Sequence, residues 1–279
     1  MVRRQLLAVL ALLGVLGAAA CQTSLDPGSA QDASATQAGE VSDEAPTRGG
    51  TLSYGLPAET NSWHPGLAQW GGHSLQVARA LYDPMFEYAE DGSIRPFLLE
   101  RAEHNADYTE WKLVVREGVT FHNGRPLRSS DIQRVGAQLI TSPVVGSAWA
   151  INDLIASETP DDRTLIVRSS KPWVTLPQQS ASQLGFVPDP DWMESKDPNA
   201  WAHPVGTGPF VMERWDLGRQ VVLKRNPNYW RKDARGEPLP YLDGLDFRIL
   251  PDDAARFEAL RTGQIDAMMQ TSPSPVTML

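Results

Sequence analysis

The stretch from Leu245 to Met268 constrains the fold more than any other part of the chain. Leu245 to Leu250 alternates like a strand, Asp252 or Asp253 caps a helix running through Thr262, and Gly263 ends it. Ile265-Asp266-Ala267-Met268 then reads as the next strand. Strand, helix, strand implies a parallel pair joined by a right-handed crossover. Upstream, Phe210 to Trp215 and Gln220 to Arg225 flank Asp216-Leu217-Gly218-Arg219, which predicts an antiparallel hairpin. Strands are also expected at Thr51 to Leu56, where Pro57 stops the run, at Trp111 to Arg116 and at Thr164 to Arg168. Glu117-Gly118 turns the chain into Val119-Thr120-Phe121, and Asn123-Gly124 marks a tight turn. Leu75, Val77, Ala78, Leu81 and Tyr82 stand at helical spacings. A second helix, capped by Ser129 or Ser130, carries Ile132, Val135, Leu139 and Ile140, while Pro172 to Pro204 is expected to be irregular. Strands mixed with helices throughout give an α/β protein. There is no internal repeat, and 279 residues suffice for one large domain or two ordinary ones.

The first twenty residues have the layout of a secretory signal: basic Arg3 and Arg4, an apolar run from Leu6 to Leu16, then small residues up to Ala20. That run is shorter than the roughly 20 residues a membrane span needs. Cys21 is the only cysteine, so no internal disulfide can form. Its surroundings resemble the lipobox of bacterial lipoproteins, whose cysteine is acylated, although Ala18 stands where Leu is usual. Ala18-Ala19-Ala20 equally fits ordinary cleavage at the same bond. Residues 22–47 contain no aromatic residue and are rich in Ser, Ala, Thr, Gln, Asp and Glu. Such a segment cannot bury enough apolar surface to order itself, and as a coil of about 26 residues it spans roughly 30 Å. Net charge is −9, and −11 once Arg3 and Arg4 are removed. Nucleic acid is therefore an unexpected partner, since phosphates need a basic face.

No G-x-S-x-G, H-E-x-x-H or phosphate-cradling glycine loop occurs. No catalytic residue and no cofactor is expected, although 34 acidic side chains do not by their count exclude a carboxylate pair. The five histidines, His64, His73, His104, His122 and His203, show no i, i+4 ligand spacing, so no metal site is expected. Nine tryptophans are the unusual feature. Trp111, Trp215 and Trp230 are assigned to packing, whereas Trp63, Trp70, Trp149 and Trp173 fall in loops or beside turns, where an aromatic ring more often packs against its own loop but can also wall a ligand cleft.

Five segments in order resemble the solute-binding proteins of the peptide, dipeptide and nickel ABC importers, family 5. They are Arg48-Gly49-Gly50-Thr51-Leu52 with Trp63-His64-Pro65, Leu81-Tyr82-Asp83-Pro84-Met85-Phe86, Arg116-Glu117-Gly118-Val119-Thr120-Phe121-His122-Asn123-Gly124, Val205-Gly206-Thr207-Gly208-Pro209-Phe210, and Arg225-Asn226-Pro227-Asn228-Tyr229-Trp230 with Leu260 to Asp266. His64 departs from the Asp common before Pro65, and Asp83 stands where Glu is common.

The resemblance implies a type II periplasmic-binding-protein-like fold with domain I at residues 48–80 and 196–279 and domain II inserted at 81–195. Domain III is expected to be missing, because family members continue well past the segment that ends here at Leu279. It further implies a ligand held between domains I and III. Trp70, Gly71, Gly72 and His73 would form the domain I lip, Thr207 and Gly208 the return from domain II beside the cleft, and Trp149 an aromatic reach from domain II. The implied function is non-catalytic capture of an oligopeptide for an ABC permease by an exported protein, lipid-anchored to the outer face of the membrane or periplasmic. An oligosaccharide ligand on the same fold is the alternative, and a secreted hydrolase using acidic residues is a third reading from another class.

Overall fold

The computed structural model describes residues 46–197 and 199–271. In chain order these form β1 (Thr51–Leu56), α1 (Gly72–Leu81), β2 (Phe86–Tyr88), β3 (Ile94–Pro96), β4 (Leu99–His104), β5 (Glu110–Val115), α2 (Ser129–Ile140) and α3 (Gly146–Ala150). There follow β6 (Leu154–Glu158), β7 (Thr164–Ser169), α4 (Leu176–Ser180), α5 (Pro190–Met193), β8 (Phe210–Asp216), β9 (Gln220–Arg225), β10 (Gly244–Ile249), α6 (Asp253–Arg261) and β11 (Ala267–Met268). The leader, Cys21 and the tether up to residue 45 lie outside the described residues. Among the described residues no helix is long and apolar enough to cross a membrane.

One sheet has the order β11-β1-β10-β9-β8. β8 and β9 form the expected hairpin around Gly218, and β9 runs antiparallel to β10. The Asp252 side chain accepts a bond from the Ala255 N–H (2.8 Å), capping α6 as its sequence predicts. β10 and β11 do run in one direction, yet they are not neighbours. β1 lies between them, paired along all six residues with β10 and at two positions with β11. The crossover through α6 therefore steps over a strand supplied by the other end of the sequence.

The second sheet, β4-β5-β7-β6, is antiparallel throughout. Residues Ile132, Val135 and Leu139 of α2 are buried at the spacing the sequence shows. Neither Ser129 nor Ser130 caps α2. The Ser129 hydroxyl donates to the Asp161 carbonyl (2.6 Å), and Asp131 secures the first turn by accepting from the Arg128 N–H (2.8 Å). After the Glu117-Gly118 turn, Thr120 makes an isolated bridge with Pro126. β2 and β3 make a separate short hairpin.

Candidate functional site

The predicted lip opens α1. Gly71 and Gly72 are exposed and His73 is half-buried. α1 starts without a side-chain cap and without an acidic residue in its first turn. The Ser74 hydroxyl beside these amides is buried and has no hydrogen-bond partner among the described residues. The first N–H groups of a helix have no partner within it, and together with the helix dipole they favour an acceptor or anion.

Trp70 supports this lip and does not face a cleft. It is only 6% exposed. Its ring stacks on Tyr82 (6.0 Å, 5°), with Trp63 and Phe186 tilted against it. Its backbone N–H donates to Gln183 Oε1 (2.9 Å) and its indole N–H to the Ser62 carbonyl (2.9 Å). Gln183 in turn donates to the carbonyls of Pro65 and Ala68 (2.7 and 2.6 Å), so one amide pins the whole loop. Trp63 and Trp173 are likewise buried, at 1% each. All three rings are packing residues, so the cleft-wall expectation for Trp70 gives way: its loop folds inward around it. Trp149 falls on α3, and its side chain lies outside the described residues.

Thr207 and Gly208 belong to the other end of α1. The Gly208 N–H donates to the Leu81 carbonyl (3.1 Å), at the helix C-terminus. A ten-residue helix separates its ends by about 15 Å, so the structure does not bring these two residues to the lip. Thr207 is fully buried and donates to Asp83 Oδ2 (3.1 Å). Asp83 also accepts from the Tyr229 hydroxyl (3.0 Å) and the Trp230 indole (2.8 Å). Burial drives this carboxyl up to about 7 against the pull of those three donors and Arg231.

His122 laces the same seam. Its Nδ1 accepts from the Gly206 N–H (3.2 Å), so Nε2 carries the proton and donates to the Gly208 carbonyl (3.1 Å). Burial pushes its pKa down to about 4, leaving a neutral ring. His64 is spent in the same way, accepting from the Gly66 N–H and facing the Met193 carbonyl. Among the described residues no group of three or more His, Cys, Asp or Glu side chains is arranged to hold a metal.

A largely buried ionic knot lies beside the Asn123-Gly124 turn. Arg125 pairs with Asp131 (2.8 Å) and Asp189 (2.9 Å), and Asn123 donates to Asp189 (2.8 Å). Burial raises the Asp189 carboxyl, but the bonds from Arg125, Asn123 and the Asp191 N–H outweigh it and hold it below its usual range. Arg125 and Asn123 flank Gly124 in the predicted tight turn, where nothing in the sequence points to Asp189.

The family model described as "Bacterial extracellular solute-binding proteins, family 5 Middle" matches residues 93–279. The nickel-binding periplasmic protein of Escherichia coli is 26% identical over 192 residues, which cover 67% of this chain and 35% of that protein. A probable ABC transporter-binding protein of Deinococcus radiodurans is 29% identical over 201 residues, covering 63% of this chain and 33% of its own length. Among solved structures, the periplasmic binding protein AgaA of A. tumefaciens, in complex with agropinic acid, superposes with a TM-score of 0.70 at 27% identity. That match covers 77% of this chain and 43% of AgaA. The Helicobacter pylori DppA structure has a TM-score of 0.71 at 23% identity, covering 84% of this chain and 49% of its own, and speaks to the fold alone. The chain thus spans between a third and a half of the length of these relatives.

Proposed function

The chain belongs to the family 5 bacterial extracellular solute-binding proteins, and from that premise we propose that it captures an oligopeptide outside the membrane and hands it to an ABC permease. The supporting observation is the start of α1, which has no side-chain cap and no acidic residue in its first turn and opens on exposed Gly71 and Gly72. A peptide offers main-chain carbonyls and a carboxylate to the N–H donors of such a start. A neutral oligosaccharide offers no carboxylate, so the lip favours the peptide. The reading is non-catalytic. The buried carboxylates Asp83, Asp131 and Asp189 are each committed to neighbouring donors and do not face an open surface.

Amide NMR of the 279-residue chain with millimolar tripeptide tests this. Shifts are expected at Gly71, Gly72 and His73, and in Gly72→Val they should fade at unchanged fold. A Cβ at Gly72 meets only the tip of the Met269 side chain (2.9 Å), which can swing aside. Shifts absent from the lip, or equal in the variant, would remove the peptide from this site.

Anchoring of the mature protein through an acylated Cys21 completes the proposal. It rests on the signal-like leader and the aromatic-free tether around the sole cysteine. Mass spectrometry of the mature N-terminus should find a diacylated Cys21, and Cys21→Ser should release the protein from membranes. A free thiol at position 21 would overturn the anchor and leave the binding reading intact.

A further inference from the structure

This acidic chain gathers four cations around one open pocket of about 450 Å³. Arg95 comes from β3, Arg116 follows β5, and Arg231 and Lys232 follow Trp230. The volume falls in the range of small-molecule sites, roughly 300–1,000 Å³. Glu87 of β2 is the only carboxylate among the described residues of the lining, and it is taken by Arg95 (2.8 Å). Arg116, Arg231 and Lys232 form no ion pair with a carboxylate among the described residues. Elsewhere Arg125, Arg134, Arg163 and Arg168 each hold two carboxylates.

Two of the unpaired cations are already held in place. The Arg116 guanidinium lies over the Trp230 ring (5.5 Å), and its Nε donates to the Phe97 carbonyl (2.7 Å). Arg231 lies over the Phe97 ring (4.7 Å) and 6.0 Å from that of Trp230. Trp230 is fixed in turn, its indole N–H donating to Asp83. A guanidinium held on an aromatic face keeps N–H donors at its edge for another partner. The Asp83 carboxyl also acts on Arg231, but three donors already occupy it and burial keeps it partly protonated at neutral pH. Like charges held together repel, and an anion between them removes that cost.

Charge and donor number select the occupant. Four cations less one carboxylate leave three positive charges uncompensated. A carboxylate presents two oxygens in one plane, whereas a terminal phosphoryl group presents three around a tetrahedral centre, and a diphosphate carries about three negative charges near neutral pH. We propose that this pocket binds a diphosphate group through Arg116, Arg231 and Lys232. It shares no residue with the lip of α1 and takes a different class of ligand.

Pyrophosphate is the probe, titrated into the full 279-residue chain at about pH 7 and followed by calorimetry and by the Trp230 indole N–H resonance. Binding is expected near a Kd of about 0.1 mM, weakening about tenfold between about 0.05 M and about 0.5 M NaCl. Arg116→Gln and Arg231→Gln should each weaken it about tenfold. Lys232 is exposed, so Lys232→Gln should weaken binding about fivefold with the unfolding midpoint unchanged, which separates lost binding from lost folding. Glu87→Gln, which frees Arg95, should tighten it about threefold. Arg219→Gln removes an equal charge from the exposed β8–β9 turn and should change nothing. Citrate, of similar charge, should bind about fivefold more weakly. No response to pyrophosphate, an equal loss in Arg219→Gln, or weaker binding in Glu87→Gln overturns the site. Citrate binding as tight as pyrophosphate overturns the diphosphate assignment. Attachment to phosphatidic acid vesicles without any response to pyrophosphate would give these cations to a membrane surface and overturn the pocket.

Discussion

Asp83 shows how much one buried carboxyl can govern. Three donors, from Thr207, Tyr229 and Trp230, converge on it from segments more than 120 positions away. Its pKa in the folded protein, about 7, lies above the ordinary value of 3.8. The native state therefore holds a proton there more tightly than the unfolded chain does. That contribution is complete below about pH 4 and is lost as pH rises through 7, an effect on the order of a few kcal/mol. Asp83→Asn keeps the neutral form at every pH. In urea unfolding, the stability of the parent relative to Asp83→Asn should fall between about pH 4 and pH 7 and level off above that. A difference that stays flat, or rises, would mean that Asp83 is ionised throughout. The sequence marks Asp83 only as a departure from the usual Glu, and its partners are invisible there because none is local. The lip is more legible, since two successive glycines before an apolar helical spacing are a local signal. Trp70 beside them misleads, because loop position says nothing about which way a ring turns.

At the scale of elements, α1 is fixed at its C-terminus by the segment Val205-Gly206-Thr207-Gly208, whose two glycines let backbone touch backbone. A Cβ at Gly208 would sit 2.5 Å from the Leu81 carbonyl carbon and 2.7 Å from the oxygens of Ala80 and Leu81. None of these can swing aside, so Gly208→Ala should cost about 3 kcal/mol. Gly218→Ala in the β8–β9 turn is the contrast. It meets no atom within 4 Å and pays only for its positive φ of 74°, about 1 kcal/mol. Chemical unfolding of both variants should separate them clearly, and equal losses would show that the α1 seam yields. Elements with a clean period, namely β1, β5, β7, β8, β9, β10, α2 and α6, were readable. β4 and β6 were not. Leu99-Glu100-Arg101-Ala102-Glu103-His104 is mostly exposed and Leu154-Ile155-Ala156-Ser157-Glu158 mostly half-buried, and their pairing with β5 and β7 holds them extended. The Arg125 knot escaped for a similar reason, since Asp189 stands 64 positions from the arginine it neutralises.

Across the whole molecule the sequence predicts the class of fold but not the seating of β1, because strand order depends on contacts that no local window contains. Gly50 reaches the Asp243 carboxylate over 193 positions, and Ser53 reaches Asp266 over 213. A chain made from its N-terminus thus releases Thr51–Leu56 long before either partner strand exists. The second sheet closes over far shorter distances, so it can be in place while the first still waits. During that interval β1 is an unpaired strand with both hydrogen-bonding edges free, able to stick to any other exposed edge. The earliest strand of the chain is thus the segment that a protecting chaperone would have most reason to hold.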